Sequence, residues 1–379
     1  MKKLLLIFTS FLISSFAFAQ KCTDADLENV PGVWTSGIKG SVGLSGAEIV
    51  KAKSVTEIVD NMMRPNFQVP KGLVATYFSA FVGYNQYIGN NLAQYDYTNW
   101  FNHFMCYNDK VTKNPDSQII LRINFKDPGV VFSRDVLAGE WEENEKDHFG
   151  WLDNFPEQKN GIVYMKSTPD SAQFTYKPDR WLITYDGKLP YTFVTRFEYL
   201  QKLKEKLTKS FQKNIDDIKE YNPIRPKVEQ EKEKEEALQK FKDEAAQGYG
   251  DWTNRYLQSY KTDEQKQEEN IKSATETYQK SFQIVENLLK MPEKDLQKPA
   301  IVNSLGEFSG FSNEGEVGAH IIIKENPDYY NNKLAKGIPQ VIFVSLTRYS
   351  GSGKQTYVTA YNSIIDRLDF EKLKALLGK

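Results

Sequence analysis

Histidine and cysteine are scarce in this chain, neither sign of charge predominates, and apolar runs are short. Each absence removes a class of function. The three histidines, His103, His148 and His320, lie far apart, and none sits in an H-E-x-x-H or H-x-x-H spacing. No metal motif is therefore legible. There is no G-x-S-x-G, and neither cysteine has a recognisable histidine partner, so no nucleophile motif is present either. Basic and acidic residues number 49 and 50. That balance supplies no global field for nucleic acid or an anionic membrane. No cofactor is implied.

Past the first twenty positions, no stretch is apolar for long enough to cross a bilayer. The first nineteen have their own meaning. Lys2-Lys3 is a short basic region, Leu4 to Phe18 is an apolar run, and Ala17-Phe18-Ala19 places small residues where a signal peptidase needs them. The pattern predicts a signal peptide over 1–19, cut after Ala19, and an exported mature chain of 360 residues. The alternative, an uncleaved anchor, is disfavoured by the shortness of the run and the lack of a stop-transfer flank. Gln20 and Lys21 just before Cys22 argue against a lipidated cysteine.

Cys22 and Cys106 are the two cysteines. In an oxidising compartment, pairing them closes a loop of about 85 residues, which chain entropy values at about 4 kcal/mol. Against pairing, Cys22 lies near the mature terminus, and Cys106 shares a strand face with Phe104, where a buried free thiol is ordinary. The sequence leaves the disulfide open.

What the chain has in abundance is helix-forming charge. From Thr195 to Lys290 it reads as a long arm. Thr195-Arg196-Phe197-Glu198 is a capping box, and Leu200, Leu203, Leu207, Phe211, Ile215 and Ile218 share one face. Asn222-Pro223 and Arg225-Pro226 end that helix. A second stripe follows at Ile271, Ala274, Tyr278, Phe282, Val285 and Leu289. The reading is an antiparallel hairpin with the Pro-rich corner between its helices and a joint at Gly248-Tyr249-Gly250-Asp251-Trp252. The arm carries nineteen residues of each sign, a pattern usual for a solvated helical face.

The flanking regions, 20–195 and 291–379, read as one α+β body interrupted by this insertion at 196–290, antiparallel and β-rich with flanking helices, in preference to two small β-rich domains joined by it. Ser45-Gly46-Ala47-Glu48 opens a helix with an apolar face at Ile49, Ala52, Val55, Val59 and Met62. Spacing at Val74, Tyr77, Phe81, Tyr84, Ile88 and Leu92 predicts another helix within 72–107. Strands are expected at 104–107, 118–125, 162–165, 172–176, 181–185, 301–303, 319–323, 340–346 and 355–361. The first two should form a hairpin with a long loop. A short helix over 369–377 closes the chain.

The stretch Trp181-Leu182-Ile183-Thr184-Tyr185-Asp186-Gly187-Lys188-Leu189-Pro190-Tyr191-Thr192-Phe193-Val194-Thr195-Arg196, with Asn326-Pro327-Asp328-Tyr329-Tyr330 and Gln340-Val341-Ile342-Phe343-Val344, resembles uncharacterised exported proteins of Gram-negative bacteria. The resemblance covers most of the mature chain loosely. It implies export and overall layout, and carries over no catalytic residue.

Remaining candidates are diffuse. Glu140, Glu142, Glu143, Glu145, Asp147 and His148 form an acidic run, consecutive rather than spaced as a calcium loop demands. Ser350-Gly351-Ser352-Gly353-Lys354 contains Gly-Lys, but Arg348 and Gln355 stand where a phosphate loop needs Gly and Ser or Thr, and a strand is expected next. Glu140, Glu142, Asp153 and Asp186 are available as glycosidase carboxylates without any spacing that singles them out. Exposed aromatics bind sugars by stacking, which nominates Tyr95, Tyr97 and Trp100, beside Asp96 and Asn99, and also Trp141 and Trp151. Tyr249 and Trp252 mark a partner-binding spot on the arm. The leading expectation is a non-enzymatic exported protein that binds another envelope protein, or itself, through the arm. The alternative is a carbohydrate-binding module or glycoside hydrolase in the N-terminal region.

Overall fold

A computed structural model of the chain describes residues 22–37, 43–65, 67–84, 93–125, 149–165, 176–250, 252–303, 307–349 and 355–379. In order these form α1 (Asp24–Asn29), β1 (Val33–Ser36), α2 (Gly46–Met63), β2 (Leu73–Tyr84), β3 (Ala93–Tyr107), β4 (Lys110–Asn124), β5 (Phe149–Leu152), β6 (Glu157–Lys159), β7 (Ile162–Met165), β8 (Tyr176–Ile183) and β9 (Tyr191–Phe193). Next come α3 (Arg196–Tyr221), α4 (Lys227–Ala246), α5 (Thr253–Ser259), α6 (Asp263–Leu288) and α7 (Glu293–Leu296). The chain finishes with β10 (Ile301–Asn303), β11 (Ala319–Glu325), β12 (Ile342–Tyr349), α8 (Gln355–Ile365) and α9 (Phe370–Lys374). The fold is α+β, with a β-rich body, flanking helices and a charged helical insertion. Two compact units divide it: residues up to Thr192 together with those from Ile323, and the segment Phe193–Ile322.

In the first unit an eight-stranded sheet runs β1-β2-β3-β4-β12-β8-β7-β6. β1 joins β2 in parallel, and the described registers of the remaining pairs are antiparallel. Alternation sets its faces. Ile119, Leu121 and Ile123 point into the core with Tyr95, Tyr97, Phe101, Val344, Leu346 and Ile183. The apolar stripe of α2 (Ala52, Val55, Val59, Met63) packs on this face, as do Tyr357, Ala360 and Ile364 of α8 and Leu373 of α9. Trp34 is the anchor its turn led to: Nε1 donates to Phe67 O at 3.0 Å, and its ring meets Phe67, Tyr77 and Phe101 edge-on. Gly32 is required there, since a Cβ would sit 2.0 Å from Val69 O.

Four local expectations are corrected. Within 72–107 the described residues are not helical: Leu73–Tyr84 and Ala93–Tyr107 form β2 and β3, and Ile88 and Leu92 lie outside the described residues. β2 is covered on both faces, with Leu73 and Ala75 in the helix-side core and Val74 and Thr76 buried opposite, so period two is hidden. The hairpin loop is short: Tyr107 pairs with Lys110, and Asn108 and Asp109 both take positive φ, the primed turn that matches strand twist. Residues 355–361 are helix rather than strand. Ser45 caps α2 in an extended conformation without the side-chain capping bond its spacing predicts. The expected strand at 172–176 lies almost wholly outside the described residues.

Cys22 and Cys106 are joined in a disulfide, with Cα atoms 5.7 Å apart and a separation of 84 positions in sequence. It ties the start of the described chain to the end of β3. Replacing both by serine is expected to lower unfolding free energy by about 2–4 kcal/mol in a denaturant titration. Coincident curves for the intact and serine forms would show that the bond constrains nothing.

Candidate functional site

The arm is built from its cap upward. Thr195 and Glu198 form the reciprocal capping box, Glu198 N–H donating to Thr195 Oγ1 at 3.1 Å and Thr195 N–H to Glu198 Oε2 at 3.0 Å. Leu200 is fully buried one turn on, in a cluster with Val285 and Leu296 against Leu203, Leu207, Leu288, Phe308 and Phe311. Arg196 lies 4.9 Å over the Phe311 ring, and Val194 links to Ile322 and Ala300 through backbone bonds. The second unit therefore extends past Lys290 and carries its own small core. In it, β10 and β11 pair antiparallel, Ile301 facing Ile321.

From that root α3 packs along α6, which returns from far down the sequence. Phe211 meets Tyr278 at 5.2 Å, and Lys204 reaches Glu286 at 3.3 Å. The Pro-rich segment is thus not the hairpin's reversal. α4 packs instead against α5, where Phe241 meets Tyr256 at 5.4 Å, and the chain reverses between these two helices near Gly248. The prolines form an elbow between two helix pairs.

A polar clasp closes the elbow. Arg225 grips Asp263 with two side-chain bonds, Nε to Oδ2 at 2.7 Å and Nη2 to Oδ1 at 3.0 Å, and its Nη1 donates to Glu233 at 2.6 Å. Gln230, buried, donates to Arg225 O at 2.8 Å and accepts from Asp263 N–H at 2.8 Å. Gln267 donates to Asn222 O at 2.9 Å. Thr262 adds a second capping box with Gln265 at the start of α6. The bidentate geometry is the strong form of a guanidinium–carboxylate contact.

Beyond the clasp, apolar groups face outward. Tyr221 is 77% exposed, Val228 74%, Tyr249 66% and Trp252 46%. Trp252 does not cap a buried cluster; Arg255 lies 5.6 Å over its ring. Between Ala245 and Tyr260 only Asp251 and Arg255 are charged, whereas twelve of the eighteen residues from Lys227 to Glu244 are.

The aromatic set in the N-terminal region is divided by the pleat. Tyr95 and Tyr97 are core residues, donating to Gly337 O at 3.0 Å and Asp60 Oδ1 at 2.9 Å, and burial pushes both phenols well above their usual range. They offer no stacking surface, which corrects that expectation. Trp100 points to the opposite face, is 36% exposed, and meets Phe78 edge-on at 4.7 Å. Asp96 is buried and accepts from Thr98 Oγ1 at 3.4 Å; Asn99 donates to Tyr97 Oη at 3.0 Å. Trp151 is half-buried in β5. Trp141, Glu140, Glu142 and the rest of the acidic run lie outside the described residues. Asp186 pairs with Lys374 at 2.6 Å on the surface.

Other clusters are structural. Asp179 accepts from Tyr164 at 2.7 Å and from Tyr361 of α8, and burial together with that carboxylate pushes the Tyr164 phenol up to about 12. Three segments meet here: Tyr329 donates to Gln340 O at 2.7 Å and accepts from Tyr185 N–H at 3.2 Å, and Asn326 holds Leu189 O at 2.9 Å. These bonds fix loops rather than present groups to a ligand. The Gly-Lys string does lead into a helix, α8, so strand context is no argument against a phosphate loop. Arg348 and Gln355 still depart from the motif. A shallow groove of about 230 Å³ between α2 and α9 is lined by Ile58, Met62, Leu373 and Leu376, with no convergent polar set. Among the described residues no group of three or more His, Cys, Asp or Glu is placed to hold a metal, and no helix is long and apolar enough to cross a membrane. No family model matches the chain, and no curated protein or solved structure is similar to it.

Arg225 holds the Asp263 carboxyl at about 2, below its ordinary 3.8, first through their side-chain bond. A depressed carboxyl stabilises the folded form above its unfolded value and loses that contribution as pH falls through the folded one. The elbow should therefore loosen between pH 4 and pH 2. Nitroxide labels replacing Lys240 and Lys272 should show a distance distribution that broadens over this range. In an Asp263→Asn background it should be broad at pH 7 already. A distribution unchanged in both cases would rule out the clasp as the hinge lock.

Proposed function

We propose that this is an exported, non-enzymatic binding protein whose helical arm engages another protein of the cell envelope or a second copy of itself. One observation carries the reading: the distal helix pair has almost no buried core, yet exposes Tyr249, Trp252 and Leu257 at its reversal. Isolated short helices are marginal in water, and most helical stability comes from packing an apolar face. A distal pair with its aromatics outward gains that packing from a partner. Composition supports the same view, because interface centres are rich in Tyr, Trp and Arg and poor in Lys, Glu and Asp. The segment from Ala245 to Tyr260 has that composition within an otherwise heavily charged arm. Export rests on the signal-peptide pattern over 1–19.

The test compares three mature proteins: intact, with Lys202 to Lys280 replaced by a short Gly linker, and with Tyr249→Ser plus Trp252→Ser. Each is used for affinity capture from cell envelopes and for sedimentation. The intact chain should recover a partner, or self-associate, while both variants melt cooperatively but lose at least tenfold in recovery or association constant. Equal behaviour of all three would remove the arm as the binding surface.

A further inference from the structure

The elbow between α3 and α4 is built on two prolines three residues apart, in Asn222-Pro223-Ile224-Arg225-Pro226. No helix covers these five residues. Pro226 sits at φ −53° and ψ 139°, close to polyproline II geometry. Proline fixes its own φ and pushes the residue before it toward extended backbone, so Pro223, Arg225 and Pro226 are biased the same way. A polyproline II helix has three residues per turn, which puts both rings on one edge, about 9 Å apart. One proline is enough to end α3. The second, at this spacing, makes a ridge.

The clasp divides the groups of this ridge into bonded and free. Asn222 O accepts from Gln267, Arg225 O accepts from Gln230, and Arg225 N–H donates to Asp263 Oδ2 at 3.3 Å. The Arg225 side chain turns to Asp263 and Glu233. Among the described residues, Pro223 O, Ile224 N–H and Ile224 O make no hydrogen bond within the chain. Side chains follow the same division: Pro223, Pro226 and Val228 are exposed, Ile224 is 50% exposed and Tyr221 77%. We propose that the elbow is a docking motif for a domain that reads polyproline II through a groove of aromatic side chains. The proline rings and Ile224 enter the groove, and the Pro223 and Ile224 carbonyls accept from indole or phenol donors lining it.

The choice of occupant follows from what the ridge offers. It presents apolar rings and hydrogen-bond acceptors, so its partner supplies flat apolar surface and donors, which Trp and Tyr combine. A second copy of the chain fits poorly. A two-fold contact between elbows would set proline rings on proline rings and carbonyls against carbonyls, with one N–H on each side to serve them. Binding also gains from a ligand ordered in advance. Here α3, α4 and the clasp hold the ridge at both ends, which a free peptide of the same sequence lacks. The site is separate from the exposed aromatics at the reversal, about 30 Å away along the 20 residues of α4, and does not rest on them.

The experiment places a photoreactive residue at Ile224 of the full chain in living cells and maps the adduct by mass spectrometry. One discrete adduct is expected, joined to a partner segment that contains Trp or Tyr. The purified partner is then titrated by calorimetry against the mature protein and its variants. Ile224→Ser should weaken binding about tenfold, the loss of one anchoring side chain, while the distance between labels at Lys240 and Lys272 matches the parent. Pro223→Ala plus Pro226→Ala should weaken it further. Asp263→Asn, which frees the clasp, and the isolated peptide 219–229 should both bind more weakly than the parent. Tyr249→Ser plus Trp252→Ser should bind as the parent does, so a failure of the reversal surface leaves this result intact. The proposal is overturned if Ile224 yields no adduct in an expressed chain, or if the adduct joins a second copy or a segment without aromatic residues. Parent-like binding by folded Ile224→Ser overturns it equally.

Discussion

The arm depends on one contact, the two-pronged grip of Arg225 on Asp263. On the root side of it, α3 and α6 share a small core with Leu200 and Val285. On the far side, α4 and α5 meet through half-buried aromatics: Phe241 packs on Tyr256, and Tyr260 meets Tyr256, lies under Lys234 and donates to Gln230 O. Such a pair has little of its own to fix its direction. A surface ion pair alone would be a weak constraint. This one is reinforced by Gln230, which bonds to both the Arg225 carbonyl and the Asp263 amide, and by the cap at Thr262. Orientation of the distal pair is set by a network rather than by apolar packing, and that leaves the aromatic side chains free for another use.

The body follows a different logic. Its sheet buries one face under three helices, and several of its polar interior groups are tied into the fold. Tyr95 and Tyr97 anchor β3 through their hydroxyls, while Tyr329 and Gln340 tie loops together.

Much of the fold was legible because local signals agreed with it. The capping box at Thr195, the Pro breaks after Tyr221 and the alternation from Ile119 to Ile123 each determine a local geometry, and each is present. Failures came where two periods compete. Val74, Tyr77, Phe81 and Tyr84 fall at helical spacing, yet they occupy a strand covered on both faces, where the enrichment in Tyr, Phe and Thr was the better signal. Residues 355–361 looked like a strand because Tyr357, Ala360 and Ile364 show their helical period only when the window extends past Tyr361. The hairpin's true reversal was missed because prolines end helices without saying which helix packs on which. Pairing α3 with α6 is a long-range fact.

The central claim is that the arm's reversal touches a partner while its shaft does not. The direct measurement is photo-crosslinking in living cells, with a photoreactive residue placed in turn at Tyr249, Trp252 and Leu257, and at Asp216 and Lys280 on the shaft. The account expects discrete adducts from the three reversal positions and none from the two shaft positions. Adducts confined to the shaft, or none from the reversal in a protein that is expressed and exported, would contradict it.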